Sequence, residues 1–133
     1  MKWTKEKANN WYEEQPWLVG CNFLPSTAIN QLEMFQRDTF DEDTIKRELN
    51  LAKNLGFNSL RVYLHDLLWS DRDKFKKTFE KFLELCFERN IKPIIVLFDD
   101  CHRPYPKLGK QPLPVKGVHN SGGKQSPGME LVN

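Results

Sequence analysis

Seven side chains in this sequence of 133 residues have types and spacing that suit chemistry: Asn22, Arg61, His65, Asp66, Trp69, Asp99 and Asp100. Asp66, Asp99 and Asp100 stand at or just beyond the ends of two apolar runs that read as strands. At the C-terminal rim of a parallel sheet such carboxylates accept hydrogen bonds from ligand hydroxyls. Arg61 alternates with the apolar residues of its run, and a guanidinium turned inward needs an acidic partner. His65 shares that face nearer the rim, where an imidazole hydrogen-bonds a hydroxyl or a carboxylate. Asn22 ends an earlier apolar run and can both donate and accept. Trp69 follows the second run and offers an apolar ring face on which a sugar stacks, or which staples a helix. Together these groups suit a neutral ligand rich in hydroxyls.

Other chemistries lack their residues. His102, His119, Asp99 and Asp100 form no metal-ligand spacing such as H-E-x-x-H, so neither a metal nor a cofactor is expected. Ser121 and Ser126 lack the G-x-S-x-G elbow of a serine nucleophile. No G-x-G-x-x-G or G-x-x-x-x-G-K-[ST] follows a strand to cradle phosphate. The chain has 20 Lys+Arg against 18 Asp+Glu, a net charge of +2, 39% hydrophobic and 29% charged residues, with both signs interspersed. That balance describes a globular domain without a basic stripe, so neither nucleic acid nor an anionic membrane is the expected partner. No apolar run approaches the roughly 20 residues of a membrane span, and the polar start argues against a secretory signal. With Met1 as the native start, a cytoplasmic location is expected. Cys21, Cys86 and Cys101 are odd in number and widely spaced, as small hydrophobes are.

The elements that must position these groups follow from local signals. After a polar extension over residues 1–16, the apolar run to Leu24 is closed by Pro25-Ser26, and a strand is expected over 17–23. Asp41 suits a helix cap, with Phe40 and Ile45 as a hydrophobic staple. The helix stripe is Ile45, Leu49, Ala52, Leu55, and Gly56 ends it. A strand over 59–65 follows. A second helix after Ser70, capped through Ser70-x-x-Asp73, carries Phe75, Phe79, Phe82, Leu83 and Cys86 on one face and stops at Asn90. A third strand is expected over 92–98, with Pro93 tolerated at its start. Glu42, Asp43, Glu48, Glu80, Glu84 and Glu88 fall on these helices and belong to solvated faces.

Residues 49–66 lie over residues 83–100 at an offset of 34, pairing Gly56 with Asn90 and Asp66 with Asp100. Helix, stop and strand written twice predict an α/β fold with a parallel sheet. The expected architecture is a partial TIM barrel: three βα-type units over 17–100, with three strands and two helices, and a loop-like tail over 101–133. Leu60, Val62 and Leu64 should face the helices, while Arg61, Tyr63 and His65, with Ile95, Leu97 and Asp99 beside them, face away. An uncovered face of this kind predicts self-association. The tail holds five prolines and five glycines, and offers a helix start only at Met129-Glu-Leu-Val.

The segments WLVGCNFLPS, LAKNLGFNSLRVYLHDLLW, IKPIIVLFDDC and VHNSGGKQSPG, in that order and spacing, resemble the N-terminal third of the (β/α)8 glycoside hydrolases of clan A, the cellulase, mannanase and xylanase type grouped as family 5. The likeness runs over residues 17–128. It implies β-linked polysaccharide or oligosaccharide as ligand and an arginine near the active centre at Arg61. It also implies two catalytic glutamates at the ends of the fourth and seventh barrel strands. These residues end before a fourth strand, so no catalytic residue is assigned, and a truncated, inactive enzyme is expected. Retaining hydrolysis needs two carboxyls about 5 to 5.5 Å apart. Gly122-Gly123-Lys124 departs from the family pattern, which has an aromatic residue after the first glycine. The alternative is a stand-alone α/β module that binds carbohydrate or protein through its open sheet face.

Overall fold

Backbone hydrogen bonding organises the chain around one parallel sheet. The computed structural model describes residues 2–132. Three strands, β1 (Gly20–Asn22), β2 (Ser59–Tyr63) and β3 (Lys92–Val96), lie side by side in that order, all parallel. β1 is shorter than the apolar run suggested, and Trp17 is exposed. The residues before it are tied to the start of β2 by backbone bonds from the Asn58 and Ser59 amides to the Val19 carbonyl and by the Asn58 carboxamide, which accepts from the Val19 amide and donates to the Trp17 carbonyl. Gly20 pairs with Ser59 so closely that a Cβ there would overlap the Ser59 carbonyl oxygen.

Two amphipathic helices cover one face of this sheet. α3 (Glu42–Asn54) starts where Asp41 accepts from the Thr44 amide at 3.0 Å, and Gly56 at φ +86° follows its end. α4 (Arg72–Phe87) follows a 3-10 turn (Asp66–Asp71), and Asn90 at φ 56° terminates it. Its cap is Asp71, one residue later than expected, because the Ser70 hydroxyl is spent on the Leu67 carbonyl inside the 3-10 turn. Ile45, Leu49 and Ala52 of α3 and Phe75, Phe82, Leu85 and Cys86 of α4 form one core with Leu60 and Val62 of β2.

Five α-helices form rather than the two expected, among the described residues. α1 (Lys5–Glu13) buries no residue and lies in the N-terminal extension. α2 (Gln31–Phe35) is one buried turn and a half, capped by Asn30, whose side-chain oxygen accepts from the amides of Leu32 and Glu33. Its Phe35 sets its ring edge-on to Phe75, Phe79 and Phe82, with centroids 5.6 to 6.2 Å apart. α5 (Met129–Val132) lies where the tail offered a helix start. The tail is irregular but packed: Gln111 and Ser126 are buried. No helix of the described residues is long and apolar enough to cross a membrane.

Two expectations are corrected. Leu55 is 74% exposed, since the helix has ended and the residue caps it from outside. The phase of β3 is also shifted: Val62 pairs with Ile95 and Arg61 with Ile94, an offset of 33 rather than 34. Ile95 therefore packs toward the core, and Ile94 shares the outer face with Arg61. The ladder, set by bonds such as Lys92 N–H to the Asn58 carbonyl, begins two residues after Asn90 but three after Gly56. Leu49→Ala should lower unfolding free energy by about 2–5 kcal/mol through loss of a fully buried side chain. Leu55→Ala should change it by less than about 0.5 kcal/mol. Urea denaturation of both variants checks the contrast.

Candidate functional site

The C-terminal ends of the three strands open into one concavity of about 780 Å³, within the ordinary range of ligand sites of roughly 300–1,000 Å³. Asn22 enters it from β1, Arg61 and Tyr63 from β2, and Asp99 from just beyond β3. α2 contributes Gln31 and Met34 to one wall, and the tail contributes Cys101, His102 and the Gly122-Gly123 turn to the other. The alternation of β2 accounts for the floor. Leu60 and Val62 go to the helices, which leaves Arg61 and Tyr63 on the open side.

Arg61 is exposed, and its partner is not the carboxylate anticipated for a buried guanidinium. The guanidinium lies over the Tyr63 ring, 5.0 Å from the centroid, and donates to the Tyr63 hydroxyl. Ion pairs among the described residues do not include it. Arg61 lines the hollow, and its remaining N–H groups are donors available to a ligand there.

The rim is held by the tail. Ser126 exchanges both backbone hydrogen bonds with Asp99, at 2.7 and 2.6 Å. Its hydroxyl accepts from the Asp66 amide at 3.0 Å and donates to the Asp66 carboxylate at 2.8 Å. On the other wall the Asn30 carboxamide donates to Gln111 Oε1 and to the Gly122 carbonyl. The buried Glu33 carboxylate accepts from the amides of Ile29 and Gln111. These bonds satisfy polar groups that burial would otherwise make costly.

Beyond β3 the chain brings Asp99, Cys101 and His102 together. Asp99 Oδ1 accepts from the Cys101 thiol at 2.9 Å, Asp99 Oδ2 lies 3.2 Å from His102 Nε2, and Cys101 Sγ lies 3.9 Å from that nitrogen. The hydrogen bond to Asp99 holds the Cys101 thiol above its ordinary pKa, with the nearby carboxylate charge acting in the same direction. As it stands, the sulfur is a thiol donor rather than a nucleophile. The His102 ring rests on Gly123, where a Cβ would come within 2.8 Å of it. Sequence spacing did not single out this trio, because its residues are nearly consecutive and match no helical ligand pattern. An acid, a thiol and an imidazole within four residues were the available signal.

Of the residues singled out from sequence, Asn22, Arg61 and Asp99 line the concavity together. His65 does not line it. Its side chain is fully buried, its Nδ1 accepts from the Leu67 amide at 3.2 Å, and it caps the 3-10 turn. Asp66 is taken up by Ser126. Asp100 is exposed and does not line the hollow, and Trp69 sets its ring edge-on to Phe75, with centroids 6.3 Å apart, away from the site.

Burial pushes the His65 pKa below its ordinary 6.5, against the opposing charges of Asp66 and Asp99 and the Gln125 backbone. The folded chain therefore holds this imidazole neutral at pH values where the unfolded chain protonates it. Stability is full above about pH 6.5 and falls as pH drops below that value, because the unfolded state then binds an extra proton. Denaturant midpoints measured from about pH 7.5 to about pH 5 should show this decline, and His65→Gln should flatten it while lowering stability throughout.

No family model, no curated protein and no solved structure matches this chain.

Proposed function

We propose that these residues form the ligand-binding side of a clan A type glycoside hydrolase centre for β-linked plant polysaccharide, without its catalytic carboxyl pair. The observation that carries this reading is the hollow at the C-terminal ends of three parallel strands, lined by Asn22, Arg61, Tyr63 and Asp99. A sugar hydroxyl both donates and accepts. Arg61 supplies donors, Asp99 an acceptor, and Asn22 both. Tyr63, under the guanidinium, holds it over the hollow.

Asp99 is the only carboxylate among the described residues that line this hollow, and it is engaged by Cys101 and His102. Retaining hydrolysis requires two carboxyls about 5 to 5.5 Å apart, so bond cleavage needs groups these residues do not supply. What remains to them is to bind and orient the glycan. The purified chain should leave cello-, manno- and xylo-oligosaccharides intact, beyond a buffer control, yet bind at least one of them. Arg61→Ala should weaken that binding roughly tenfold or more, the usual worth of a hydrogen bond from a charged group. Turnover abolished by Asp99→Asn, or failure to bind any of these sugars in a titration followed by NMR, would defeat the proposal.

A second reading, a stand-alone α/β module, draws on the tail, which folds back to bury Gln111 and Ser126 against α2 and the strand ends. The sheet argues the other way: Ile94 on its outer face, and Leu97 and Phe98 just beyond β3, are each more than half exposed. Sedimentation decides between them. Self-association that shields this face fits an incomplete barrel, and a monodisperse monomer with one cooperative melt fits the module.

A further inference from the structure

We propose that Asp99, Cys101 and His102 form a binding site for a divalent cation of the zinc class, open on its remaining position to the concavity. One ligand atom from each residue lies within 4.8 Å of the others. In a tetrahedral site with bonds of about 2.0–2.3 Å, ligand atoms stand roughly 3.3–3.8 Å apart. The Cys101 sulfur lies 2.9 Å from Asp99 Oδ1 and 3.9 Å from His102 Nε2, and the other carboxylate oxygen, Oδ2, lies 3.2 Å from Nε2, so the three groups stand at separations near that range. An imidazole, a thiol and a carboxylate are the donor types of borderline-soft zinc, whereas calcium and magnesium take oxygen alone.

The three ligands are also held in place. Asp99 is fixed by its paired backbone bonds with Ser126, and the Cys101 amide reaches Asp99 Oδ1 at 3.4 Å. The His102 ring lies against Gly123, and Arg103 pairs with the tail through the Gln125 amide. All three ligands line the hollow, so a bound cation would keep a coordination position facing it. Zinc would take the place of the thiol proton now shared with Asp99, and the proton would pass to solvent. This site shares Asp99 with the sugar-binding reading but does not rest on it, since metal capture needs no glycan.

The test uses the full chain, freed of metal with chelator, and titrated with Co²⁺ and then Zn²⁺. One equivalent of Co²⁺ should produce the near-ultraviolet band of thiolate-to-cobalt charge transfer, and Zn²⁺ should displace it. Cys101→Ser should abolish the band, and His102→Gln or Asp99→Asn should weaken Co²⁺ affinity roughly tenfold or more. Cys21→Ser and His119→Gln should change neither, although Cys21 is also exposed. Zn²⁺ should in addition protect one of the two exposed thiols from a thiol reagent. Cys101 is exposed and His102 partly so, which leaves the fold of these variants intact, as circular dichroism of the metal-free proteins would verify. Absence of the band, its loss in Cys21→Ser, or a band insensitive to His102→Gln would each overturn the site, the last leaving only a lone thiol adduct.

Discussion

The clasp of Ser126 on the ends of β2 and β3 is the constraint on which the site depends. A fully buried serine exchanges two backbone bonds with Asp99 and two side-chain bonds with Asp66, so one residue ties the tail to both strand ends. Each such bond contributes only about 1 kcal/mol net, but leaving any of these buried groups unpaired costs more. The clasp thereby sets the backbone of Asp99, hence the positions of Cys101 and His102, and it closes the cover over His65. A second bridge, Arg103 with Lys124, continues this attachment along the chain after β3.

The two faces of the sheet are built to different ends. One is sealed by α3 and α4 over Leu60 and Val62, and by Phe35 of α2 wedged among three phenylalanines of α4. That aromatic packing brings α2 to the strand ends and makes it a wall of the hollow. The other face carries Arg61 and Tyr63 of β2, level with Ile94 and Val96 of β3.

The hollow is well supplied with groups that bind and poorly supplied with groups that react. Arg61 is held by Tyr63, and Asp99 is shared between a thiol and an imidazole. The thiol, kept protonated by the carboxylate beside it, is no nucleophile unless a cation takes the proton's place. Recognition through Asn22, Arg61 and Asp99, and capture of a cation at Asp99, Cys101 and His102, are the two roles we propose for these residues.

Sequence signals alone determined the parallel order of the three strands, the caps and stops at Asp41, Gly56 and Asn90, and the outward turn of Arg61 and Tyr63. The strand order rests on helix, stop and strand written twice, and the others on a residue and its immediate neighbours: a carboxylate over free amides, a left-handed turn, a pleat of period two. Tertiary structure decided the rest. The register of β3 departs from the sequence repeat by one residue because ladder bonds, not the repeat, choose which residues pair, and that moved Ile95 to the core. Helix α2 was not legible because a segment as short as Gln31–Phe35 is stabilised by burial against α4 rather than by its own propensity. His65 has the alternation of a rim residue, yet the 3-10 turn and the tail cover it. The convergence of Asp99, Cys101 and His102 depends on Ser126, 27 residues beyond Asp99, and a contact at that distance leaves no periodic trace in the chain.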